Sequence, residues 1–144
     1  MQVKITIGSD HAGFELKERI IAYLKEQGWS YKDMGCYSAE RADYPDFAHL
    51  VSNMVTNKEA EFGILMCGSG NGINMAANKH KGIRAALCWK PEIAALARQH
   101  NNANVLTLPA RYMQPEEALK CVHEFMTTQF EGGRHQQRIE KIDC

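Results

Sequence analysis

Cys67 is followed by Gly68-Ser69-Gly70-Asn71-Gly72, so a thiol precedes a turn with three glycines in five residues. Phe62 to Met66 ahead of it is an apolar run of strand length, and Ile73 to Lys79 behind it is compatible with a helix. Strand, glycine turn, helix is a unit that gathers side chains and free backbone N–H groups at the carboxyl edge of a sheet. A cysteine there sits beside the positive end of a helix, where thiolate is favoured over thiol. The spacing is G-x-G-x-G, which does not match the dinucleotide fingerprint G-x-G-x-x-G, and the Walker lysine with its Ser/Thr is absent. What remains is a nest of N–H donors suited to a phosphate or to a developing oxyanion, with a reactive group alongside. The plainer alternatives are a buried cysteine closing a core strand and a merely tight connection.

Other chemistry-bearing residues fall at element ends. Asp10 and His11 directly follow the first strand, where an Asp commonly caps the next helix but where a ligand edge is also expected. Arg134 and Arg138 are four apart, so a helix puts both on one face, and guanidinium forks suit phosphate oxygens. A solvated surface face is the default for such a pair. Their place after Gly132-Gly133 makes an anion site a reasonable alternative, with Arg111 beyond the fifth strand as a further candidate. His100-Asn101-Asn102 closes a helix, a position these residues favour for local reasons. The six histidines show no H-E-x-x-H or other metal spacing, and no metal or cofactor is inferred.

The elements that must position these groups alternate along the chain. Strands are expected at Val3 to Ile7, Trp29 to Met34 (weaker), Phe62 to Cys67, Ile83 to Cys88 and Val105 to Leu108. Helices are expected from Phe14 to Gln27, from Pro45, over residues 73–80, from Pro91 to about His100, from Pro115, and as a short last helix from Arg134 to Ile142. Gly35 to Tyr44 reads as a polar loop. Alternation of this kind implies an α/β fold: one doubly wound, three-layer, Rossmann-like domain over residues 1–144, with a five-stranded, mainly parallel sheet. Ligands of such sheets bind at the carboxyl ends of the strands.

Lys plus Arg and Asp plus Glu both number 17 in 144 residues, so whole-chain charge supports neither nucleic-acid nor membrane binding. No run approaches the ~20 apolar residues of a membrane span, and Met1 to Gly8 is too short for a signal segment. Five scattered cysteines without a C-x-x-C pair read as reduced thiols in a cytoplasmic protein.

The stretches GSDHAGFELK (8–17), ERADYPDFA (40–48), ILMCGSGNGINMAANK (64–79), GIRAALC (82–88), ARQHNNANVL (97–106) and FEGGRHQQRI (130–139) occur in an order that resembles the type B ribose-5-phosphate isomerases. These stand within the wider sugar-phosphate isomerases that include galactose-6-phosphate isomerase subunits. The resemblance implies metal-free interconversion of an aldose phosphate and a ketose phosphate through an enediolate. It casts Cys67 as general base, His100 as the group that opens the furanose ring, and Gly68, Ser69, Gly70, Asn71 and Gly72 as the enediolate cradle. Asp10, His11, Tyr44 and Asn101 become sugar contacts, and Arg111, Arg134 and Arg138 phosphate ligands. Some relatives replace the cysteine by a glutamate after the last turn glycine. Here that position is Ile73, which leaves Cys67 as the base. The resemblance also implies a homodimer, or a dimer of such dimers, with active sites shared between subunits. Ribose 5-phosphate is the expected substrate. The rivals are a six-carbon phosphate such as allose or galactose 6-phosphate, and a non-catalytic phosphosugar-binding module. A phosphoacceptor domain is disfavoured because the third strand ends in Cys67 where an Asp is required.

Overall fold

The computed structural model describes residues 2–144. Its elements run β1 (Val3–Ser9), α1 (Phe14–Gln27), β2 (Tyr31–Asp33), α2 (Tyr44–Thr56), β3 (Ala60–Cys67), α3 (Asn71–Ala77), β4 (Ala85–Leu87), α4 (Pro91–Asn101), β5 (Val105–Pro109), α5 (Pro115–Thr127) and α6 (Arg134–Ile139), with 3-10 turns at His11–Gly13 and Ala110–Tyr112. The strands form one five-stranded sheet in the order β2-β1-β3-β5-β4, and every pairing is parallel.

Parallel strands covered on both faces read as near-continuous apolar runs, and β3 from Phe62 onward and β5, interrupted only by Thr107, do so. Along β3, Ile64 and Met66 face a core shared with Leu16, Ile20 and Leu24 of α1, Ala94 of α4, and Val122 and Phe125 of α5. Leu65 and Cys67 face the other way, against Ala48, Val51 and Val55 of α2 and Ile73 and Ala77 of α3. The period-two alternation of the strand therefore turns Cys67 toward the α2/α3 layer. Each fully buried Ile or Leu in these clusters contributes about 1.5–3 kcal/mol, which makes the middle of the sheet a rigid support.

Proline opens three of the helices, at Pro45, Pro91 and Pro115, where a missing N–H does no harm. The chain leaves β1 toward β2 on one side and leaves β3 toward β4 on the other. Right-handed crossovers then put α1 and α3 on opposite faces. The exit from β5 returns to the α1 side, where α5 packs on α1 and α4. The carboxyl end of β3 is thus flanked by crevices toward both β1 and β5, the positions where such sheets bind ligands. Cys67 ends that strand.

Candidate active site

Three segments meet at this edge. Cys67 is buried at 5% exposure, in register with Pro109 of β5 and one residue beyond the Ser9–Met66 pair. The turn after it is tied across to the β5 exit, because the Arg111 N–H donates to the Gly68 carbonyl at 3.0 Å. A Cβ placed on Gly68 would stand 3.4 Å from Cδ and Nη1 of Arg111, so the guanidinium arm lies along the turn backbone. Among the described residues Arg111 has no carboxylate partner within 4.0 Å, and its charge is available to an anion. Two open clefts of about 640 and 500 Å³ flank it, one bounded by Trp89 and Tyr112, the other by Ala12 and Ala110.

Two glycines of the turn are needed for their missing side chains. Gly70 has φ +79°, and a Cβ there would collide with Leu87 Cδ1 and press on the Leu108 carbonyl at 3.2 Å. Gly72 meets the ring of Tyr44, whose Cζ would lie 2.5 Å from an added Cβ. Tyr44 of α2 is thereby brought against the turn. Ile73 is fully buried in the core.

On the β1 side, Asp10 is buried, and its Oδ1 accepts the Gly13 N–H at 3.1 Å, capping the 3-10 turn. His11 Nδ1 lies 3.2 Å from both the N–H and the carbonyl of Ala42, which fixes the ring against the long loop before α2. That loop is itself anchored by an ion pair absent from the sequence reading. Lys17 is wholly buried, and its Nζ reaches Oδ1 and Oδ2 of Asp33 at 2.8 and 2.9 Å. Asp33 also accepts the Gly35 N–H at 2.9 Å. The signal was available: Lys17 shares the i, i+3, i+4, i+7 stripe with Ile20, Ile21 and Leu24, where a lysine needs a buried partner.

His100, Asn101, Arg134 and Arg138 lie elsewhere in the fold. Helix α4 leaves the carboxyl end of β4 and returns to the amino end of β5, so its last residues sit at the opposite edge of the sheet from Cys67. Arg84, just before β4, donates to the carbonyls of Asn101 and Asn102 at 2.9–3.2 Å. Arg98 donates to Asn102 Oδ1 and the Ala103 carbonyl. Two guanidinium groups thus satisfy and neutralise the carbonyl end of α4. Helix α6 packs on this end, and its Arg134 and Arg138, like Arg111, have no carboxylate partner among the described residues.

The same end gathers His100, Glu131 and His135, whose donor atoms come within 4.8 Å of one another. The two imidazoles are stacked at 4.4 Å with planes 14° apart. Near-parallel planes share no point at bonding distance, so the two lone pairs do not converge as a metal ion requires. The trio is a polar network, not a metal cage.

The remaining thiols separate from Cys67. Cys88 and Cys121 are fully buried in the α4/α5 core, and burial pushes both up to about 12, with smaller contributions from Cys121 and Glu117 respectively. They are held as inert thiols. No described helix is long and apolar enough to cross a membrane.

A parallel α/β sheet covered on both faces is the doubly wound class, whose ligands bind at the carboxyl ends of the strands, where Cys67 and its glycine turn lie. The chain belongs to the ribose/galactose isomerase family, whose sequence pattern it matches over residues 5–142. It is 49% identical over 139 residues to ribose-5-phosphate isomerase B of Escherichia coli, covering 96% of this chain and 93% of that one. Its fold superposes on a ribose 5-phosphate isomerase of Thermotoga maritima with TM-score 0.96, 53% identity and 99% coverage of both chains. The Mycoplasma genitalium ribose-5-phosphate isomerase B, solved with bound ribulose-5-phosphate, gives TM-score 0.92 at 49% identity, covering 99% of this chain and 95% of that one.

Proposed function

We propose that this chain interconverts ribose 5-phosphate and ribulose 5-phosphate, with Cys67 as the base that carries a proton between the two sugar carbons. The observation that carries the reading is the thiol at the end of β3, between two crevices and beside the turn 68–72, in a chain so similar to a relative solved with ribulose-5-phosphate. A proton next to a carbonyl leaves only if the growing oxyanion is stabilised, and the backbone N–H groups of Gly68, Ser69, Gly70 and Gly72 are the donors for it, the Asn71 N–H being given to Ser69 Oγ at 3.2 Å. Asp10, His11 and Tyr44 line the same edge as sugar contacts, and Arg111 offers a free cation there. Positioned acid–base catalysis is worth ~10²–10⁴-fold, so the N–H donors and the phosphate grip supply the rest.

His100, Asn101, Arg134 and Arg138 join this chemistry in a homodimer. A second copy presents its α4/α6 end to the Cys67 edge of the first, and two-fold symmetry makes two such sites. The opposite placement of the two halves in one chain supports that arrangement. So do Met75, Trp89 and Tyr112, large apolar side chains at 66%, 52% and 77% exposure that a partner would cover. The reduced thiols suit a cytoplasmic setting.

The test compares wild type with Cys67→Ala and Cys67→Ser, on ribose 5-phosphate and allose 6-phosphate. Both variants should lose isomerisation while still binding the pentose phosphate in calorimetry, and wild type should prefer the pentose. Retained turnover in Cys67→Ser removes the cysteine from its role. A large hexose preference changes the substrate, and an inactive wild type that binds sugar phosphate supports the binding-module rival.

A further inference from the structure

We infer that Glu131 and His135 are positioning residues for His100, an inference that rests on the ring-opening role proposed for His100 above. His135 is buried, 8% exposed, and its ring lies flat on the His100 ring at 4.4 Å. Glu131 Oε1 stands 3.4 Å from His135 Nε2 and 3.9 Å from His100 Nε2. The Glu131 N–H donates to the Gln99 carbonyl at 3.1 Å, which holds the backbone of residue 131 against the last turn of α4. Stacking fixes the plane of the His100 imidazole, and the carboxylate lies as a nearby negative charge, beyond hydrogen-bond length, on its Nε2 side. Nδ1 is then the nitrogen turned to the sugar. In ring opening it takes the proton from O1 and returns it to O4 as the C1–O4 bond breaks and the C1 carbonyl forms.

The substrates themselves separate this role from a general structural one. Ribose 5-phosphate closes a five-membered ring through O4. Ribulose 5-phosphate has its O5 esterified, so no hydroxyl is placed to close such a ring from C2. Deuterium exchange at C1 of ribulose 5-phosphate in D2O therefore needs the base but not ring opening.

Glu131→Gln and His135→Ala should slow ribose 5-phosphate turnover about 10- to 100-fold, the scale of a misplaced catalytic group. Both should leave exchange into ribulose 5-phosphate within about twofold of wild type, since that route bypasses the step. His135→Phe keeps a flat ring against His100 and should fall between His135→Ala and wild type. The inference is overturned if both reactions fall together, or if neither falls. His100→Ala separates the two layers. If it leaves ribose 5-phosphate turnover intact, the role of His100 itself fails. If it is slow while Glu131→Gln and His135→Ala match wild type, only the positioning inference fails.

Discussion

Replacing Gly70 by alanine tests the geometry of the turn against a built-in control. At φ +79° an L-residue costs roughly 1–2 kcal/mol in the left-handed region. The added Cβ also meets Leu87 Cδ1 and the Leu108 carbonyl, and backbone at 3.2 Å gives way less easily than a side-chain tip. Overpacking of this kind adds about 1–3 kcal/mol, for a total of about 2–5 kcal/mol. At about 3 °C per kcal/mol for a chain of this size, the melting temperature should fall by about 6–15 °C. Gly82 has a similar φ of +87° but nothing within 4 Å of an added Cβ, so Gly82→Ala carries only the backbone part, about 3–6 °C. Thermal melts by circular dichroism at one protein concentration measure both, since any self-association makes melting depend on concentration. Gly70→Ala should also lose isomerase activity well below its melting point, and Gly82→Ala should keep it. If Gly70→Ala melts no lower than Gly82→Ala, the close approach of the turn to β4 and β5 is wrong.

The Lys17–Asp33 pair and the buried thiols make further predictions. Asp33→Ala leaves a wholly buried ammonium with only the half-exposed Glu18 carboxylate, at 3.3 Å, and should cost about 3 kcal/mol in urea unfolding, the low end for breaking a buried pair. Lys17→Met should cost less, because the Asp33 side chain is 24% exposed and keeps some hydration; an equal or larger loss would contradict this account. Cys88 and Cys121 bind their protons more tightly folded, at about 12, than unfolded, near 8.5. Their stabilisation is therefore complete below about pH 8.5 and is lost as pH rises from there toward 12. The wild-type melting temperature should fall more steeply between pH 8.5 and 11 than that of Cys88→Ala/Cys121→Ala, and equal slopes would refute the assignment. Both thiols should also resist iodoacetamide in the native protein at pH 8, where the exposed Cys144 reacts.

The three inner strands were legible as apolar runs, and Pro45, Pro91 and Pro115 marked helix starts that the structure keeps within a residue. The third helix was expected over residues 73–80 but spans Asn71–Ala77, because Gly72 lies inside its first turn and a glycine run hides a helix start. The last helix stops at Ile139, short of Ile142. Strand order was not legible. Nothing in the hydrophobic period of β5 says that it inserts between β3 and β4, since pairing partners are chosen by long-range packing. Asp10, His11, the Cys67 turn and Arg111 could be assembled at one edge from the sequence because each follows a strand closely, whereas Tyr44, which opens α2 after a long loop, came only from the resemblance. The split of His100 and the arginines from Cys67 also follows from chain direction, once α4 is known to return to the amino edge. The Glu131–His135–His100 stack could not be read, because it joins the end of α4 to a loop and α6 through side-chain contact alone.

A site shared between two copies has a direct test. Chains carrying Cys67→Ser and chains carrying His100→Ala, with different tags, are co-expressed, and the hybrid dimer is isolated. One of its two sites carries both substitutions and the other carries neither, so two-fold symmetry predicts about half of wild-type turnover of ribose 5-phosphate. Each parent homodimer should be severely impaired. A hybrid no more active than the mean of its parents would mean that Cys67 and His100 do not meet across subunits.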